Sequence, residues 1–395
     1  MPDSASLAIG LLTHSVNPRG GVVHTLELAE ALRLRGHRVT VIATARPGQR
    51  FFRPVASEVA LIDLPGEAHP DMVQEIGTRI ARTEQYLRQH LAQRSFDILH
   101  AQDPIGGNAL ANLRDQARIA HFVRTVHHLD HFSEPQLDAW QTRGYQAADL
   151  VLCVSAMWQE RLLQEHGQAS GLVHNGVDTR RYTPQAHPDD EALRRRLGIR
   201  ADGRVVLSIG GIEERKNTVR LLQAFIPLRD RMPDAQLVIA GGASLLDHSG
   251  SARAFHALLA RHGMAHGPGQ PVLITGPLPD DDIPGLLRLA DVTAMPSLRE
   301  GFGLVVLESL ACGTPVVVSR IRPFIDYLAP GDACWADPMS PSSIEQALEG
   351  ALAETRPAQV EATARRLSAS YAWDASARQH LAHYGRLLQA ELSAT

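Results

Sequence analysis

Short apolar runs rich in valine, isoleucine and leucine alternate with amphipathic stretches along most of the chain. The first forty residues contain one complete unit. In it LAIGLL predicts a buried strand, VVHTLELAEALRLRG a helix that stops at Gly36, and RVTVIA a second strand. Strands that are apolar on both faces and separated by helices are typical of parallel sheets covered on both sides. The pattern therefore predicts an α/β protein.

The alternation of strands and helices occurs in two blocks along the chain. The further apolar runs fall into two sets, FDILHAQD, HFVRTVHH, DLVLCVS and GLVHNG, and then RVVLSIGG, QLVIAGG, PVLITG, DVTAMPS and PVVVS. A segment rich in proline, arginine and aspartate, RRYTPQAHPDD, separates the two sets. Because 395 residues are too many for one hydrophobic core, we expect two doubly wound domains in series, with a hinge at HNGVD, residues 174–178.

Composition excludes several classes of protein. The net charge of -4 argues against a nucleic-acid partner held by bulk electrostatics. The cysteines at 153, 312 and 334 have no C-x-x-C spacing, so we expect no disulfides. The N-terminal MPDSASLAIGLL lacks the basic start of a signal peptide, and no apolar run is as long as a transmembrane segment. These features favour a cytoplasmic protein.

The loops that follow the predicted strands carry the unusual residues, and ligands of open parallel sheets bind at those carboxyl ends. Gly20 and Gly21 follow the first strand, Lys216 follows RVVLSIGG, and REGFGLVVLES follows DVTAMPS. The fingerprints G-x-G-x-x-G and G-x-x-x-x-G-K-[ST] are missing, which argues against a nicotinamide or flavin site and against a P-loop. Small-residue loops that open helices still suit a phosphate group.

Two glutamates, Glu300 and Glu308, flank a glycine-rich apolar run. If the helix begins at Gly303 or Leu304, Glu308 lies about one turn inside it, among apolar neighbours. A carboxylate there would repel phosphate, so we expect it to accept hydrogen bonds from ribose hydroxyls. Glu300 would meet another hydroxyl-bearing group, with helix-dipole stabilisation as the alternative. With Lys216 supplying positive charge, the implied ligand is a nucleotide sugar.

The spacing E-x7-E in EGFGLVVLE, preceded by MPS and followed by ACGTPVVVS, resembles the signature of family 4 retaining glycosyltransferases, also called glycosyl transferases group 1. The resemblance extends over nearly the whole chain through HSVNPRGGVVHTLELAEALRLRGHRVTV, RTVHHLD, HNGVD, GGIEERKN, ITGPLPDDDIPGLLRLADV and YAWD. It implies the GT-B fold, in which two Rossmann-like domains face each other across a cleft. Residues 1–173 plus about 372–395 would form the acceptor-side domain, and residues 174–371 the domain that binds the nucleotide sugar.

The resemblance also implies roles for individual residues. Catalytic roles would fall to His127, which would meet the donor sugar, to Glu300, which would hold a sugar hydroxyl, and to Lys216, which would neutralise the departing diphosphate. The donor would further contact Gly20, Gly21, Gly276, Leu278, Phe302, Gly303, Leu304, Val305 and Glu308. Many relatives have arginine where this chain has Gly211. Either Arg215 compensates, or one phosphate contact is absent.

The activity implied by the resemblance is transfer of a sugar from its nucleoside diphosphate to an acceptor hydroxyl, with the anomeric configuration kept. The alternative is a same-fold nucleotide-sugar epimerase or hydrolase. No cofactor and no metal are expected, although His100, Asp103, His121 and HHLDH at 127–131 resemble metal ligands by residue type. The donor base, whether UDP, GDP or ADP, and the sugar stay open at this point.

The loop RPGQRFFRP, residues 46–54, places Arg46, Arg50 and Arg53 around two phenylalanines. Arginines beside aromatic rings could bind an anionic or lipid-linked acceptor, or rest on the inner face of the membrane as part of a peripheral protein. The alternative is that one phenylalanine packs into the core beneath a solvated arginine loop.

Overall fold

The computed structural model describes residues 6–91, 94–242, 249–353 and 357–393. The chain forms two compact units. Unit 1 comprises Met1–Gly176 and Tyr371–Thr395, and unit 2 comprises Val177–Ser370. The boundaries between the units lie beside the expected hinge and beside the expected return of the chain at about residue 372.

Unit 1 is a parallel sheet with helices between successive strands. Its strands are β1 (Ala8–Thr13), β2 (Arg38–Ala45), β3 (Glu58–Asp63), β4 (Ile98–Ala101), β5 (Val123–Val126), β6 (Leu150–Cys153) and β7 (Gly171–Leu172). Its helices are α1 (Gly20–Leu34), α2 (Met72–His90), α3 (Pro104–Asp115), α4 (Pro135–Gln146), α5 (Ala156–His166) and α14 (Trp373–Leu392). The strand order is β3-β2-β1-β4-β5-β6-β7, so the order reverses between β1 and β4.

Unit 2 repeats this arrangement with a second parallel sheet. Its strands are β8 (Val205–Ile209), β9 (Gln236–Ala240), β10 (Val272–Gly276), β11 (Val292–Met295), β12 (Val316–Ser319) and β13 (Cys334–Ala336). Its helices are α6 (Asp190–Leu197), α7 (Thr218–Arg231), α8 (Ser249–Arg261), α9 (Asp282–Leu289), α10 (Leu304–Ala311), α11 (Phe324–Tyr327), α12 (Pro341–Ala353) and α13 (Pro357–Ser370). The strand order is β10-β9-β8-β11-β12-β13, with the reversal between β8 and β11.

The central strands are buried on both faces, as continuous apolar runs require in a parallel sheet. Every residue of β1 and of β9 is buried. In each unit, helices on the sheet complete the core, as α7 and α12 do in unit 2. The predicted class, two doubly wound Rossmann-like units, is therefore confirmed.

The C-terminal helix α14 belongs to unit 1. It packs against α1, and its Tyr384 is fully buried, with the hydroxyl 2.7 Å from His100 Nδ1. At the start of the same helix, Arg35 donates a hydrogen bond to Asp374 across 2.7 Å. Throughout the ranges that the structure describes, no helix is both long and apolar enough to cross a membrane.

Candidate active site

The ends of β8 and β11 are the natural place for a ligand in unit 2. The two strands are neighbours, and the strand order reverses between them. At such a reversal the loops leave the sheet in opposite directions and open a crevice outside the carboxyl ends. The loop after β8 carries Arg215 and Lys216, and the loop after β11 carries Glu300, so these side chains converge.

Glu300 is the centre of this cluster. Its Oε1 accepts hydrogen bonds from Lys216 Nζ and from Ser297 Oγ, each across 2.8 Å. Its Oε2 accepts one from Arg215 Nη1 across 3.1 Å. Only 7% of Glu300 is exposed. A carboxylate this buried needs charged donors to be stable, and two cations and a hydroxyl supply them.

The charges of the cluster follow from opposing effects on the pKa of Glu300. Burial raises this pKa, but the charges of Lys216 and Arg215, with hydrogen bonds from Lys216 and Ser297, outweigh burial and lower it to about 2. Burial lowers the pKa of Lys216, and the charge of Glu300 opposes that effect. We conclude that the pair is a carboxylate and an ammonium at neutral pH, because Glu300 stays ionised well below it.

Two glycines shape the loop after β8. Gly210 has a φ of 130°, and a Cβ there would lie 2.7 Å from Lys216 Cε. Gly211 has a φ of 76°, in the left-handed region that side-chain-bearing residues avoid. The absence of arginine at position 211 therefore has a backbone reason, and Arg215 brings a guanidinium to the same cluster from later in the loop.

Asn217, which directly follows Lys216, fixes the end of the loop after β8, a role that no sequence motif indicated. It has a φ of 60°, which asparagine tolerates better than most residues. Its side chain is buried and donates to the carbonyl oxygens of Pro296 and Pro338, across 2.8 and 2.7 Å. Because Pro296 follows β11, this amide joins the loops after β8 and β11. The only local signal was an asparagine directly before a predicted helix.

The N-terminus of α10 is built on Gly303. This residue has a φ of 90°, and a Cβ on it would lie 2.5 Å from Phe324 Cε1. The carbonyl of Phe302 accepts a hydrogen bond from Tyr327 Oη across 3.2 Å. The first N–H groups of a helix have no acceptor within the helix, and at α10 these belong to Leu304 and Val305. The N-terminus of α10 therefore directly follows Gly303, a position that requires glycine.

We expect Gly303→Ala to disturb this helix start strongly. The left-handed backbone and the contact with Phe324 should together cost about 1–3 kcal/mol of unit 2 stability. Urea unfolding of unit 2 measures this loss. The matched control is Gly350→Ala in α12, where a Cβ meets nothing within 4 Å. Equal stability of the two variants would contradict this assignment.

The other predicted donor residues of unit 2 lie in two places. Glu308 is buried, with 8% of its surface exposed, so it is not a solvated surface residue. Gly276 ends β10, where its carbonyl accepts a hydrogen bond from Gly241 N across 2.9 Å. Leu278 is half-buried in the next loop. Because β10 is two strands away from β8, Gly276 and Leu278 lie apart from the Glu300 cluster.

Unit 1 places Gly20, Gly21 and His127 near the reversal of its own sheet. Gly20 and Gly21 begin α1, and a Cβ on Gly21 would lie 3.5 Å from His127 Cδ2. His127 follows β5, and its Nε2 lies 3.0 Å from Oε1 of Gln102, which follows β4. The structure thus brings the predicted glycines and the predicted histidine together, and adds Gln102.

A group of buried histidines lies behind His127. His24 of α1 contacts His127 edge to face, with the ring centroids 4.7 Å apart, and its Nδ1 lies 2.6 Å from Asn175 Oδ1. His380 of α14 lies 5.6 Å from His24 and 5.8 Å from His100. Burial is the main reason that the pKa of each of these four histidines is low.

The residues that resemble metal ligands by type form hydrogen bonds or ion pairs within unit 1. His100 is hydrogen-bonded to Tyr384 and to Thr125, and His121 to a backbone carbonyl. His128 lies 3.2 Å from Asp130. In the described part of the chain, no three histidine, cysteine, aspartate or glutamate side chains are arranged to hold a metal ion.

The arginine loop after β2 is largely tied to unit 1. Arg46 donates to both carboxylate oxygens of Glu75, across 2.7 and 2.9 Å. Arg53 forms an ion pair of 2.9 Å with Glu27. Phe51 packs against a small apolar cluster that contains Val16, Ala43 and Ala45. Of the two interpretations of this loop, the contacts favour the packed phenylalanine, since two of the three arginines are paired with carboxylates.

Known proteins resemble this chain over most of its length. A D-inositol 3-phosphate glycosyltransferase of Corynebacterium jeikeium is 28% identical over 398 residues, covering 91% of this chain and 90% of that protein. Sucrose-phosphate synthase of Thermosynechococcus elongatus superposes with a TM-score of 0.76 at 21% identity, covering 98% of this chain and 100% of that one. Alr3699/HepE of Anabaena, solved in complex with UDP and glucose, has a TM-score of 0.74 at 21% identity and covers 95% and 98%.

The two doubly wound units and these solved structures define the GT-B fold. Family models narrow this class. Residues 18–181 match the model described as Glycosyltransferase Family 4, and residues 189–367 match the one described as Glycosyl transferases group 1. Together the two matches span most of the chain, which belongs to the family 4 glycosyltransferases.

Proposed function

We propose that this glycosyltransferase moves a sugar from a nucleoside-diphosphate sugar to an acceptor hydroxyl and keeps the anomeric configuration. The observation that carries the proposal is the buried carboxylate of Glu300, held by Lys216 and Arg215 where the strand order reverses. Two cations beside a helix N-terminus suit a diphosphate. The Anabaena protein of the same fold was solved with UDP and glucose, which supports this class of donor.

The proposed reaction breaks the bond between the anomeric carbon and the diphosphate oxygen. A bond from the acceptor oxygen to the anomeric carbon forms on the same face, and the departing phosphate takes the proton of the acceptor hydroxyl. Lys216 and Arg215 would stabilise the negative charge that develops on the leaving group. Since two side-chain cations can supply this charge, we propose that the reaction needs no metal, and that EDTA leaves activity unchanged.

The remaining donor contacts are proposed from position and chemistry. Glu308, buried one turn inside α10, would accept hydrogen bonds from the ribose hydroxyls. Gly276 and Leu278, at the end of β10, would contact the base. Glu300 would accept a hydrogen bond from a sugar hydroxyl while it orients Lys216. In unit 1, Gly20 and Gly21 would leave room for the diphosphate, and His127 would meet the sugar.

For the acceptor, we propose a hydroxyl compound that carries phosphate. The support is the name of the Corynebacterium relative, an inositol 3-phosphate glycosyltransferase. The alternative is a lipid-linked acceptor, and an acceptor screen would distinguish it from a phosphorylated hydroxyl compound. The same-fold epimerase or hydrolase is not favoured, because the named relatives are transferases.

A panel of nucleoside diphosphates and their sugars tests the donor. A ligand that binds only the folded state raises the melting temperature, so the nucleotide with the correct base should give the largest rise. The best donor is then incubated with phosphorylated and unphosphorylated polyols, and the anomeric configuration of the product is read by NMR. An inverted product, or donor turnover that gives an epimer without acceptor, would contradict the proposal.

Glu308→Ala should weaken nucleoside diphosphate binding about 10- to 100-fold. Hydrogen bonds to a charged acceptor are worth roughly 1.5–3 kcal/mol, which corresponds to that change in affinity. Calorimetry with the bare diphosphate measures the loss. The control is Glu361→Ala in α13, an exposed glutamate that pairs with Arg365. Unchanged affinity in a folded Glu308→Ala variant would remove Glu308 from the ribose site.

A further inference from the structure

His127 is held through one of its two ring nitrogens. Its Nε2 lies 3.0 Å from the amide oxygen of Gln102, which is 3% exposed at the end of β4. An amide oxygen can only accept a hydrogen bond, so the proton of a neutral His127 must be on Nε2. The lone pair is then on Nδ1. This nitrogen belongs to the edge of the ring opposite Cδ2, the atom nearest Gly21.

The orientation of the Gln102 amide is itself fixed. Its Nε2 lies 3.3 and 3.4 Å from the two ring nitrogens of His100. His100 is fully buried and held in place by Tyr384 Oη and Thr125 Oγ1, each at 2.7 Å. Only the unprotonated ring nitrogen of a neutral His100 can accept a hydrogen bond from this amide, and with the amide nitrogen placed there the amide oxygen faces His127. A chain of contacts from α14 to β5 therefore determines which nitrogen of His127 carries the proton.

Burial, with positive charge nearby, keeps His127 neutral. After burial, the neighbours that lower its pKa are His24 of α1, Arg124 of β5, His128 and His100 of β4. His24 adds no charge at neutral pH, because burial lowers its pKa to about 4 despite the hydrogen bond with Asn175. Its ring packs against His127 at an interplanar angle of 74° and so also limits the tilt of that ring.

We propose that Gln102 is a positioning residue that holds His127 as its Nε2–H tautomer, so that Nδ1 accepts a hydrogen bond from a hydroxyl of the donor sugar. This inference rests on the proposed function. It adds a residue that does not touch the substrate, and it assigns the two nitrogens of His127 opposite tasks. A histidine that must accept a hydrogen bond fails when it is protonated or when its tautomer is reversed.

The tautomer can be observed without any activity. In protein labelled with ¹⁵N-histidine, correlations between ring protons and nitrogens distinguish a protonated Nε2 from a protonated Nδ1, and loss of the signals in His127→Asn assigns them. We expect His127 in the wild type to carry its proton on Nε2 between pH 6 and 8. A proton on Nδ1 would overturn the proposal even if the enzyme transfers sugar as proposed.

Two variants connect the tautomer to turnover. Gln102→Glu keeps the shape of the side chain but places a carboxylate beside Nε2, which raises the pKa of His127. Its rate should match the wild type at high pH and fall as the pH drops through that raised pKa, whereas the wild-type profile stays flat. Gln102→Leu removes the acceptor, so kcat should fall about 10-fold at every pH while binding of the bare diphosphate is unchanged.

The control is Gln389→Glu, an exposed glutamine on α14, which should have the wild-type profile. A Gln102→Glu variant with a flat profile and a normal His127 pKa would overturn the positioning role, as would a Gln102→Leu variant with wild-type kcat. If no sugar nucleotide is consumed by the wild type, the proposed function fails. The NMR tautomer then still decides whether Gln102 orients His127.

Discussion

Lys216→Met should lower sugar-transfer turnover on the order of 10²–10³-fold if Lys216 stabilises the leaving group as proposed, because removing one preorganised donor typically costs that much. It should also lower the stability of unit 2. Glu300 would stay buried with only Arg215 and Ser297 as donors, and breaking a buried ion pair costs about 3–5 kcal/mol. Because Arg215 still compensates part of the charge of Glu300, we expect the loss in the free energy of unfolding to lie near the lower end of this range.

The double variant Lys216→Met/Glu300→Gln separates these two effects. It contains no unpaired buried carboxylate, so stability should recover most of what Lys216→Met loses. Turnover should not recover, because neither the ammonium nor the carboxylate is present. Unfolding of unit 2 can be followed by the fluorescence of Trp335, its single tryptophan.

A surface ion pair in the same unit provides the control for this cycle. Arg231 of α7 pairs with Glu345 and Glu349 of α12, and 47% of its side chain is exposed. Exposed pairs contribute little to stability, so Arg231→Met should leave the unfolding midpoint and turnover unchanged. If the double variant regained both stability and turnover, Lys216 would have only a structural role.

The fold was predictable wherever the sequence carried continuous apolar runs. β1 and β9 are such runs, and their full burial explains why their composition identifies them. β3 is an exception: its apolar run, residues 59–62, is short and lies at the edge of the sheet, where Glu58 and Val59 are exposed, and it was missed. β13 was missed because Cys334–Ala336 is only three residues long.

The candidate site was predictable only where residues near in sequence act together. The E-x7-E spacing identified Glu300 and Glu308, and the strand pattern placed Lys216 in a loop at a carboxyl end. The ion pair between Glu300 and Lys216 joins residues 84 positions apart. His24 and Asn175 are 151 positions apart, and no local pattern records their contact. The fold has to be formed before such pairs can be recognised.

The histidines show the same limit. The sequence drew attention to HHLDH because its histidines are adjacent, yet His128 and its neighbours lie in a partly exposed loop. The histidines that pack together come from α1, β4, the end of β5 and α14. Their residue types were visible, but their grouping depends on the return of α14 to unit 1.

Unit 1 should lose stability steeply in mild acid because of these buried histidines. His24, His100 and His380 are fully buried. Burial is the main cause that lowers the pKa of each, to about 4 for His24, to about 3 for His380, and well below the ordinary value for His100. His127 is not counted among these fully buried histidines because it is partly exposed.

The direction of the effect follows from proton binding. Below about pH 6.5 the unfolded chain binds protons on these histidines, whereas the folded chain does not until the pH reaches the lowered values. Their contribution is therefore fully present above pH 6.5 and is lost as the pH falls towards 4. Each histidine contributes up to about 1.4 kcal/mol per pH unit, so the three together give roughly 4 kcal/mol per pH unit between about pH 6 and 5.

Urea unfolding at pH 7, 6 and 5 would measure this slope in Trp335→Phe, whose remaining tryptophans, Trp140, Trp158 and Trp373, all lie in unit 1. His380→Phe should reduce the slope, since one of the three fully buried titrating histidines is gone. Unit 2, followed by Trp335 alone, is the comparison, because its described histidines, His187, His256, His262 and His266, are exposed. Calorimetry in buffers of different ionisation enthalpy should show proton uptake when unit 1 unfolds at pH 5.5. Two results would contradict this prediction: equal slopes of stability against pH for the two units, or no proton uptake on unfolding. Either would mean that the histidines are already protonated in the folded protein. Their neutral form would then not be what holds α14 against α1.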